Sequence, residues 1–335
     1  MKIRIGVIGL GFVTQISHLK CIRSNKKIKI IALCDSNLKL LKKVSKKYKI
    51  NNTYTSYKKM IKENNFDGII LSVNREKTSF IAEYLLKNKL DLLTEKPSAL
   101  TSANAKNLKK LAAKNHSIYL TGYMKRHDYG VKKFMEKIKI NKLGKLNNIY
   151  YEHLSGDSYG YQTGYFKNKN IKMIKKKTLN KKFLSKKKNY IKFLNTHCHS
   201  INLIRFLIGE FKLYKNLMNK FGEGYLIFKS KKIKIVLNNQ YSKSKEWNEN
   251  IKFYFENGTA NLQLAKPFSG KSSSYTIIDF LNNKKQEFSQ SKKWAFKEQI
   301  QYFTKQIELQ KKNKNKKIYS EDSIKDINII EKIFK

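Results

Sequence analysis

Three cysteines, two prolines, 24 acidic residues and only five arginines occur in 335 residues, and most of these shortages exclude something. Cys21, Cys34 and Cys198 stand far apart and form no CxxC pair. Neither a disulfide framework nor a cysteine zinc site is indicated, and a reducing cytoplasmic compartment suits the composition. No apolar run approaches the ~18 residues that a membrane-spanning helix requires. The first ten residues, MKIRIGVIGL, already alternate like a strand instead of placing an apolar core behind a charged start, so a soluble, non-exported protein without a membrane partner is expected. The scarcity of arginine bears on the charge. Lys and Arg total 72 against 24 Asp and Glu, a formal net charge of +48, which taken alone suggests nucleic acid or an anionic surface. Yet only Arg4, Arg23, Arg75, Arg126 and Arg205 carry the planar fork that reads bases, and the lysines run from end to end. Abundant Lys, Asn and Ile with little Pro and Arg is the signature of an AT-rich coding sequence. The reading is a solvated basic surface and no nucleic-acid partner.

What is present is enough to build cores: 40% of residues are apolar and 12% aromatic, and the length suggests two domains. The first half alternates short apolar strands with amphipathic helices. Lys2 to Ile8 runs through Gly9-Leu10-Gly11 into a helix from Phe12 to Arg23, followed by a strand at Ile28 to Leu33 and a helix at Asn37 to Tyr48. A strand at Gly68 to Val73, a helix at Lys77 to Asn88, a strand at Asp91 to Thr94, a helix at Ser102 to Lys114 and a strand at Ile118 to Gly122 continue the pattern. This predicts a Rossmann-type, doubly wound α/β parallel sheet over residues 1–122, with its ligand at the carboxyl ends of the strands. From about Asn147 the pattern changes. Gly224 to Phe228, Ile233 to Gln240, Ile251 to Phe255 and Thr259 to Leu264 alternate like antiparallel strands, predicting an α+β domain over 123–335 with a large, mostly antiparallel open sheet.

The glycine turn carries a mechanism. Gly9 permits the tight turn, Gly11 lets the backbone approach a pyrophosphate, and the helix N-terminus at Phe12 and Val13 turns its N–H groups toward the phosphates. Thr14 stands where the GxGxxG fingerprint has its third glycine, a departure that affects close helix-strand packing more than phosphate contact. Asp35, 24 residues beyond Gly11, ends the second strand where it can accept from the adenosine ribose hydroxyls, with Ser36 beside it. A carboxylate there disfavours a 2′-phosphate and so favours NAD, with NADP kept open by nearby Lys39. The alternative for Asp35 is an N-cap, a task Ser36 could share. Ser72, Val73 and Asn74 end the strand that begins at Gly68, and Glu95 with Lys96 ends the next, stopped by Pro97.

Further on, the run Asn195 to Gly209 has helical periodicity and a terminating glycine. Asn195, His199 and Asn202 fall at i, i+4 and i+7 and make one polar stripe, while His197 is turned about 200° from His199. Consecutive His197, Cys198 and His199 therefore cannot converge on a zinc ion, and no metal is expected. Taken alone, the stripe reads as a structural histidine with Asn195 as N-cap. Phe166 to Lys192 holds twelve lysines and no acid. It reads as a solvated loop or as a positive segment that attracts a phosphorylated substrate.

Together these landmarks resemble the glucose-fructose oxidoreductase and inositol dehydrogenase family, Gfo/Idh/MocA, over the length of the chain. The similarity is carried by Gly6-Val7-Ile8-Gly9-Leu10-Gly11, Asp35, the tripeptide Glu95-Lys96-Pro97 and the strand exit Gly122-Tyr123-Met124-Lys125-Arg126. Trp247 to Leu264 is similar to the family's hairpin, with a turn at Asn257-Gly258, and the tail from Ser320 to its closing helix, with Ser320 as N-cap and Ile324, Ile327 and Ile330 facing inward. The resemblance implies an NAD(P)-dependent sugar dehydrogenase or ketoreductase, an enzyme of EC 1.1.1 type, in which Lys96 and His199 are the catalytic pair. It places Asn195 where the family has an aspartate, Asn202 at another usually acidic position and Thr78 where the family has a histidine. Lys96 would act as base or as hydrogen-bond donor to the reacting hydroxyl. With a neutral Asn195 in place of aspartate, His199 lacks the partner that favours an imidazolium. Tyr123, Arg126 and Asn202 would hold substrate hydroxyls or a phosphate. The resemblance also implies a homodimer or homotetramer through the C-terminal sheet and a final helix returning to the N-terminal domain. The alternative function is a silent cofactor-binding regulatory or scaffold protein.

Overall fold

The computed structural model describes residues 2–140, 143–157, 162–167, 181–312 and 321–334, with backbone only for 181–187 and 321. The chain forms two compact units: Met1–Tyr123 with Thr163–Ser185 and Gln299–Asn328, and Met124–Gln162 with Lys186–Glu298 and Ile329–Lys335.

The first unit is built on β1 (Ile3–Ile8), a π-turn (Thr14–His18) running into α1 (Leu19–Arg23), β2 (Ile28–Cys34), α2 (Leu38–Tyr48), β3 (Thr53–Tyr54), α3 (Tyr57–Glu63), β4 (Gly68–Leu71), α4 (Arg75–Lys87), β5 (Leu92–Thr94), α5 (Ser102–Lys114) and β6 (Tyr119–Thr121). The strands lie in the order β3-β2-β1-β4-β5-β6, all parallel. The expected doubly wound sheet is therefore present. Burial of both faces explains its near-continuous apolar strands: Ile69, Leu71 and Leu92 pack with Leu85, Leu86, Leu108 and Ala112 of α4 and α5. Gly68 admits Phe303 and Ile307, whose side chains come within 3.1 Å of where its Cβ would stand. β3 and α3 fall between the expected elements; two residues and seven are too short for periodicity to reveal.

The second unit contains α6 (Tyr129–Ile140), β7 (Leu146–Ser155), most of α7 (Lys181–Ile208), β8 (Lys212–Met218), β9 (Gly224–Ser230), β10 (Ile233–Tyr241), β11 (Asn248–Phe255), β12 (Gly258–Gln263), β13 (Ser274–Asp279) and β14 (Lys284–Phe288). The eight strands run β14-β13-β12-β11-β7-β10-β9-β8, with β7 and β10 parallel and every other pair antiparallel. One face is buried through Tyr151, Leu226, Phe228, Ile235, Leu237, Ile251 and Phe253. The opposite phase leaves Tyr225, Tyr254 and Ile278 exposed. Two further helices, α8 (Ala295–Lys311) and α9 (Glu321–Ile333), contribute to both units. In α9, Ile327 and Ile330 are buried and Ile324 is half-buried, while the N-cap expected at Ser320 lies outside the described residues.

Two local expectations are corrected. Asn195 is not an N-cap: α7 begins at Lys181, so Asn195 lies well inside it, whereas Gly209 ends the helix as expected, with φ +86° and its N–H on Arg205 O at 2.9 Å. The β11-β12 turn is centred on Glu256-Asn257 and not on Asn257-Gly258, because Phe255 pairs with Gly258. Gly258 already belongs to β12, where a Cβ would stand 2.3 Å from Ile278 O. Within the lysine-rich segment 166–192, residues 168–180 lie outside the described residues and 181–187 are described by their backbone alone. Among the described residues no helix is long and apolar enough to cross a membrane, and no group of three His, Cys, Asp or Glu could hold a metal ion.

Candidate active site

The carboxyl edge of the parallel sheet gathers the residues expected to hold a dinucleotide. Gly9 follows β1 with φ +88°, and a Cβ there would stand 2.1 Å from Ser72 O, so only glycine fits. Among the described residues, a Cβ on Gly11 would meet no atom within 4 Å. That open space stands at the start of the following helix, a position whose backbone N–H groups suit an anion such as a pyrophosphate. Phe12 and Val13, half-buried, open that helix.

Thr14 solves the missing third glycine in another way. Its side chain is fully buried and its hydroxyl donates to Gly9 O at 2.7 Å. Gln15 donates to Leu10 O at 2.8 Å, and the helix widens into the π-turn, with Leu19 N–H reaching back to Thr14 O. Gln15 also pairs with Phe166 in both directions: its Nε2 donates to Phe166 O at 3.1 Å, and Phe166 N–H donates to its Oε1 at 2.8 Å. Tyr165 packs edge-on to Phe12 at 4.8 Å, Lys47 donates to Gly164 O, and the Lys43 and Lys47 ammonium groups lie 5.8 and 5.5 Å from the centroid of the Phe166 ring. A segment about 150 residues away in sequence is thus tied beside the glycine turn.

Asp35 is half-buried at the end of β2. Oδ2 accepts from Leu10 N–H at 2.8 Å and Oδ1 from Asn37 N–H at 2.8 Å, locking the carboxylate against the glycine turn. Each oxygen keeps lone-pair capacity for ribose hydroxyls. The helix cap is neither Asp35 nor Ser36: Asn37 accepts from Leu40 N–H and caps α2, leaving Ser36 exposed. Burial, reinforced by the Asp35 charge, pushes the neighbouring Cys34 thiol up to about 12, so it is inert. Ser72 is held by its N–H on Ile8 O at 2.8 Å, Val73 is half-buried, and exposed Asn74 caps α4. Thr78 is buried in α4 and its hydroxyl faces Asn74 O.

At the end of β5, Glu95 N–H donates to Leu71 O at 2.8 Å, and the Lys96-Pro97 peptide is cis. Lys96 is half-buried. Glu95 turns its carboxylate back: Oε2 accepts from Lys96 N–H at 3.2 Å, and Oε1 lies 2.7 Å from Nε2 of buried His18. Sequence reasoning missed His18; its signal was a histidine seven residues beyond Gly11 on the helix that the turn starts. Gly122 closes the corner, its N–H on Thr94 O at 2.7 Å, and Tyr123 follows, buried.

The other expected residues belong to the second unit. Arg126 leaves the 3-10 turn Met124–His127, donates from Nε to Asn202 Oδ1 at 2.6 Å and lays its guanidinium 4.9 Å from the centroid of the Phe206 ring. Asn202 is buried, while Asn195 and His199 are half-buried on the same helix. Beneath α7 lies a polar network that sequence reasoning also missed. Glu249, 1% exposed, accepts from Lys125, Tyr151 and Trp247, and His153 links it toward Ser200. Burial lowers the His153 imidazole to about 4 despite the Glu249 charge, and burial also holds His197 well below the usual imidazole range. Burial works to raise Glu249, yet its partners hold it well below the usual carboxylate range. With His153 neutral above about pH 4, it is chiefly Lys125 and the hydrogen-bond donors that keep Glu249 ionised.

Comparison with known proteins adds the following. Residues 3–123 match the oxidoreductase family with the NAD-binding Rossmann fold, Gfo/Idh/MocA. The myo-inositol 2-dehydrogenase of Thermotoga maritima is 26% identical over 142 residues, 42% of either chain. The inositol 2-dehydrogenase of Salmonella typhimurium is 22% identical over 161 residues, 47% of this chain and 48% of its own. These matches span less than half the length of each relative. Two solved structures share the whole fold: a dehydrogenase from Clostridium difficile at TM-score 0.76 and 16% identity, covering 99% of both chains, and a 3-ketoreductase from Actinomadura kijaniata, solved with NADP and TDP-benzene, at TM-score 0.76 and 12% identity, covering 99% of this chain and 96% of that one. The glycine turn, Asp35 and the Glu95-Lys96-Pro97 corner all lie inside the span, residues 3–123, that matches the NAD-binding Rossmann domain of the Gfo/Idh/MocA oxidoreductase family.

Proposed function

We propose that the protein is an NAD(P)-dependent oxidoreductase that moves a hydride between nicotinamide and the carbinol or ketone carbon of a sugar, sugar derivative or nucleotide-linked sugar, in the cytoplasm. The observation that carries this reading is one sheet edge holding a glycine turn open at Gly11, the carboxylate of Asp35 locked beside it, and Lys96 at the end of β5. Gly9, Gly11, Phe12 and Val13 would take the pyrophosphate, Asp35 and Ser36 the adenosine ribose, and Ser72, Val73, Asn74, Glu95 and Lys96 the remainder of the dinucleotide. Bound there, the nicotinamide supplies the hydride acceptor or donor. Asp35 favours NAD, because a 2′-phosphate would face a carboxylate; the NADP-bound relative from Actinomadura kijaniata keeps NADP in view.

The chain's own task is the proton. Lys96 and His199 take it from the reacting hydroxyl or return it, and Asn195, four residues before His199, serves as a neutral hydrogen-bonding neighbour. Tyr123, Arg126 and Asn202 orient the sugar, with Arg126 already held by Asn202 and Phe206. The exposed phase of the eight-stranded sheet, including Tyr225, Tyr254 and Ile278, is proposed to bury itself against a second copy, giving a dimer or tetramer.

The test is a screen of NADH and NADPH oxidation, and of NAD and NADP reduction, against free and nucleotide-linked sugars, with Lys96→Ala and His199→Ala in parallel. The expected result is wild-type turnover that falls about 10²-fold or more in Lys96→Ala while cofactor affinity is kept. Tight cofactor binding without turnover of any sugar would make the protein a silent cofactor binder.

A further inference from the structure

We infer that Glu249 is a positioning residue that sets both Arg126 and His199 from beneath α7. The inference rests on the sugar oxidoreductase reading, which makes those two side chains the substrate-facing groups of the second unit.

The hub is one carboxylate, 1% exposed, with donors from separate elements: Lys125 Nζ from the 3-10 turn, Tyr151 OH from β7, and Trp247 Nε1 at 2.8 Å from the approach to β11. Two arms leave it. Lys125 is bonded in sequence to Arg126, whose Nε lies 2.6 Å from Asn202 Oδ1 and whose guanidinium lies 4.9 Å from the Phe206 ring centroid. On the other side, His153 Nε2 lies 3.8 Å from Glu249 Oε1, and its Nδ1 lies 3.1 Å from the Oγ of Ser200, the residue after His199. Ser155 Oγ, 2.9 Å from His153 Nε2, fixes the ring between them.

Stability alone is a poor reason for this arrangement. A buried ion pair loses about as much in desolvation as it gains, and apolar replacements of similar volume are commonly neutral or stabilising. Glu249 sits in the same inward phase as buried Ile251 and Phe253, where an apolar side chain would pack as well. What an apolar residue cannot supply is direction. Hydrogen bonds to Glu249 from three elements fix the turn that carries Arg126, and His153, packed against Glu249, reaches the helix that carries His199 through Ser200; an error of ~1 Å at a reacting group costs on the order of 10²-fold in rate.

The experiment compares wild type with Lys125→Met/Glu249→Leu, which removes both charges together, and with Ser200→Ala, which cuts only the arm to His199. Three quantities are read: NADH affinity by fluorescence, kcat and KM for a sugar found in the screen, and the ¹H–¹⁵N signals of the His199 ring. In the double variant, NADH affinity should stay within about twofold, kcat/KM should fall about 30-fold or more through both a raised KM and a lowered kcat, and the His199 signals should move. Ser200→Ala should lower kcat about fivefold or more with KM within about twofold, and displace the same signals. A double variant that folds, turns over like wild type and leaves the His199 signals in place overturns the inference. If the double variant does not fold, Ser200→Ala decides: unmoved ring signals overturn the proposal. If wild type turns over no sugar, the functional reading fails, while the ring signals still decide whether Glu249 positions His199.

Discussion

Single residues decide the glycine turn and the charge at its rim. Gly9 combines φ +88° with a carbonyl oxygen 2.1 Å from where a Cβ would stand, so Gly9→Ala meets both a left-handed backbone and a backbone clash. It should destabilise by roughly 2–4 kcal/mol, read as a lowered urea midpoint with an unchanged slope. A different residue governs pH dependence. Asp91, where β5 begins, is pushed up to about 7 by burial, against hydrogen bonds from Ile118 N–H and Gln310. A carboxyl raised in the folded state binds a proton that the unfolded chain has already released, so its contribution is full below about pH 4 and is lost as pH rises toward 7. Asp91→Asn keeps an acceptor for the Ile118 N–H and removes the titration. The variant should gain on wild type by about 2–4 kcal/mol between pH 4 and pH 8, and parallel stability curves for the two proteins would contradict this.

Between residue and domain, the elements show where local signals end. The helix after the glycine turn was legible from its apolar pattern, but its π-turn was not, because that depends on the Thr14 hydroxyl and Gln15 amide reaching back to Gly9 and Leu10. Gln15 also holds the segment at Phe166, a contact across 151 positions that no local window contains. Gln15→Ala should therefore speed amide exchange at Phe166 by about tenfold or more while leaving the strands of the parallel sheet unchanged, since a net hydrogen bond is worth ~1 kcal/mol and two are lost there. α7 offers the opposite lesson. Its apolar periodicity and Gly209 marked its end, whereas its beginning lies among lysines that carry no amphipathic signal, which is why Asn195 looked like a cap.

At the scale of the whole molecule, the outward face of the eight-stranded sheet carries exposed apolar side chains. Tyr225, Tyr254 and Ile278 are 44%, 41% and 39% exposed, so the phase that alternation assigns to the outside is partly apolar. If that face is the interface between copies, Tyr225→Glu/Tyr254→Glu should shift sedimentation from dimer or tetramer to monomer without lowering NADH affinity, because the residues proposed to hold the dinucleotide belong to the first unit. A wild-type protein that sediments as a monomer at working concentration would remove this proposal.

The strand-helix alternation, the glycine turn, Asp35, the Glu95-Lys96-Pro97 corner and four of the eight strands of the second sheet, β9 to β12, were legible in the sequence, because each depends on local spacing or on a period of two or 3.6. A trace of the hidden network was also readable: Glu249 is an acid in the otherwise apolar inward phase of β11, beside Ile251 and Phe253. What that acid meets depends on the packed fold. Lys125, Tyr151, His153, Trp247 and Ser200 lie on elements spread across more than 120 positions, and their convergence follows from β7 inserting between β10 and β11 beneath α7. The pairing of His18 with Glu95, 77 positions apart, arises in the same way. Local periodicity can state which face a residue occupies; which residues share a hydrogen bond depends on strand order and register, which are set by the packing of the whole fold.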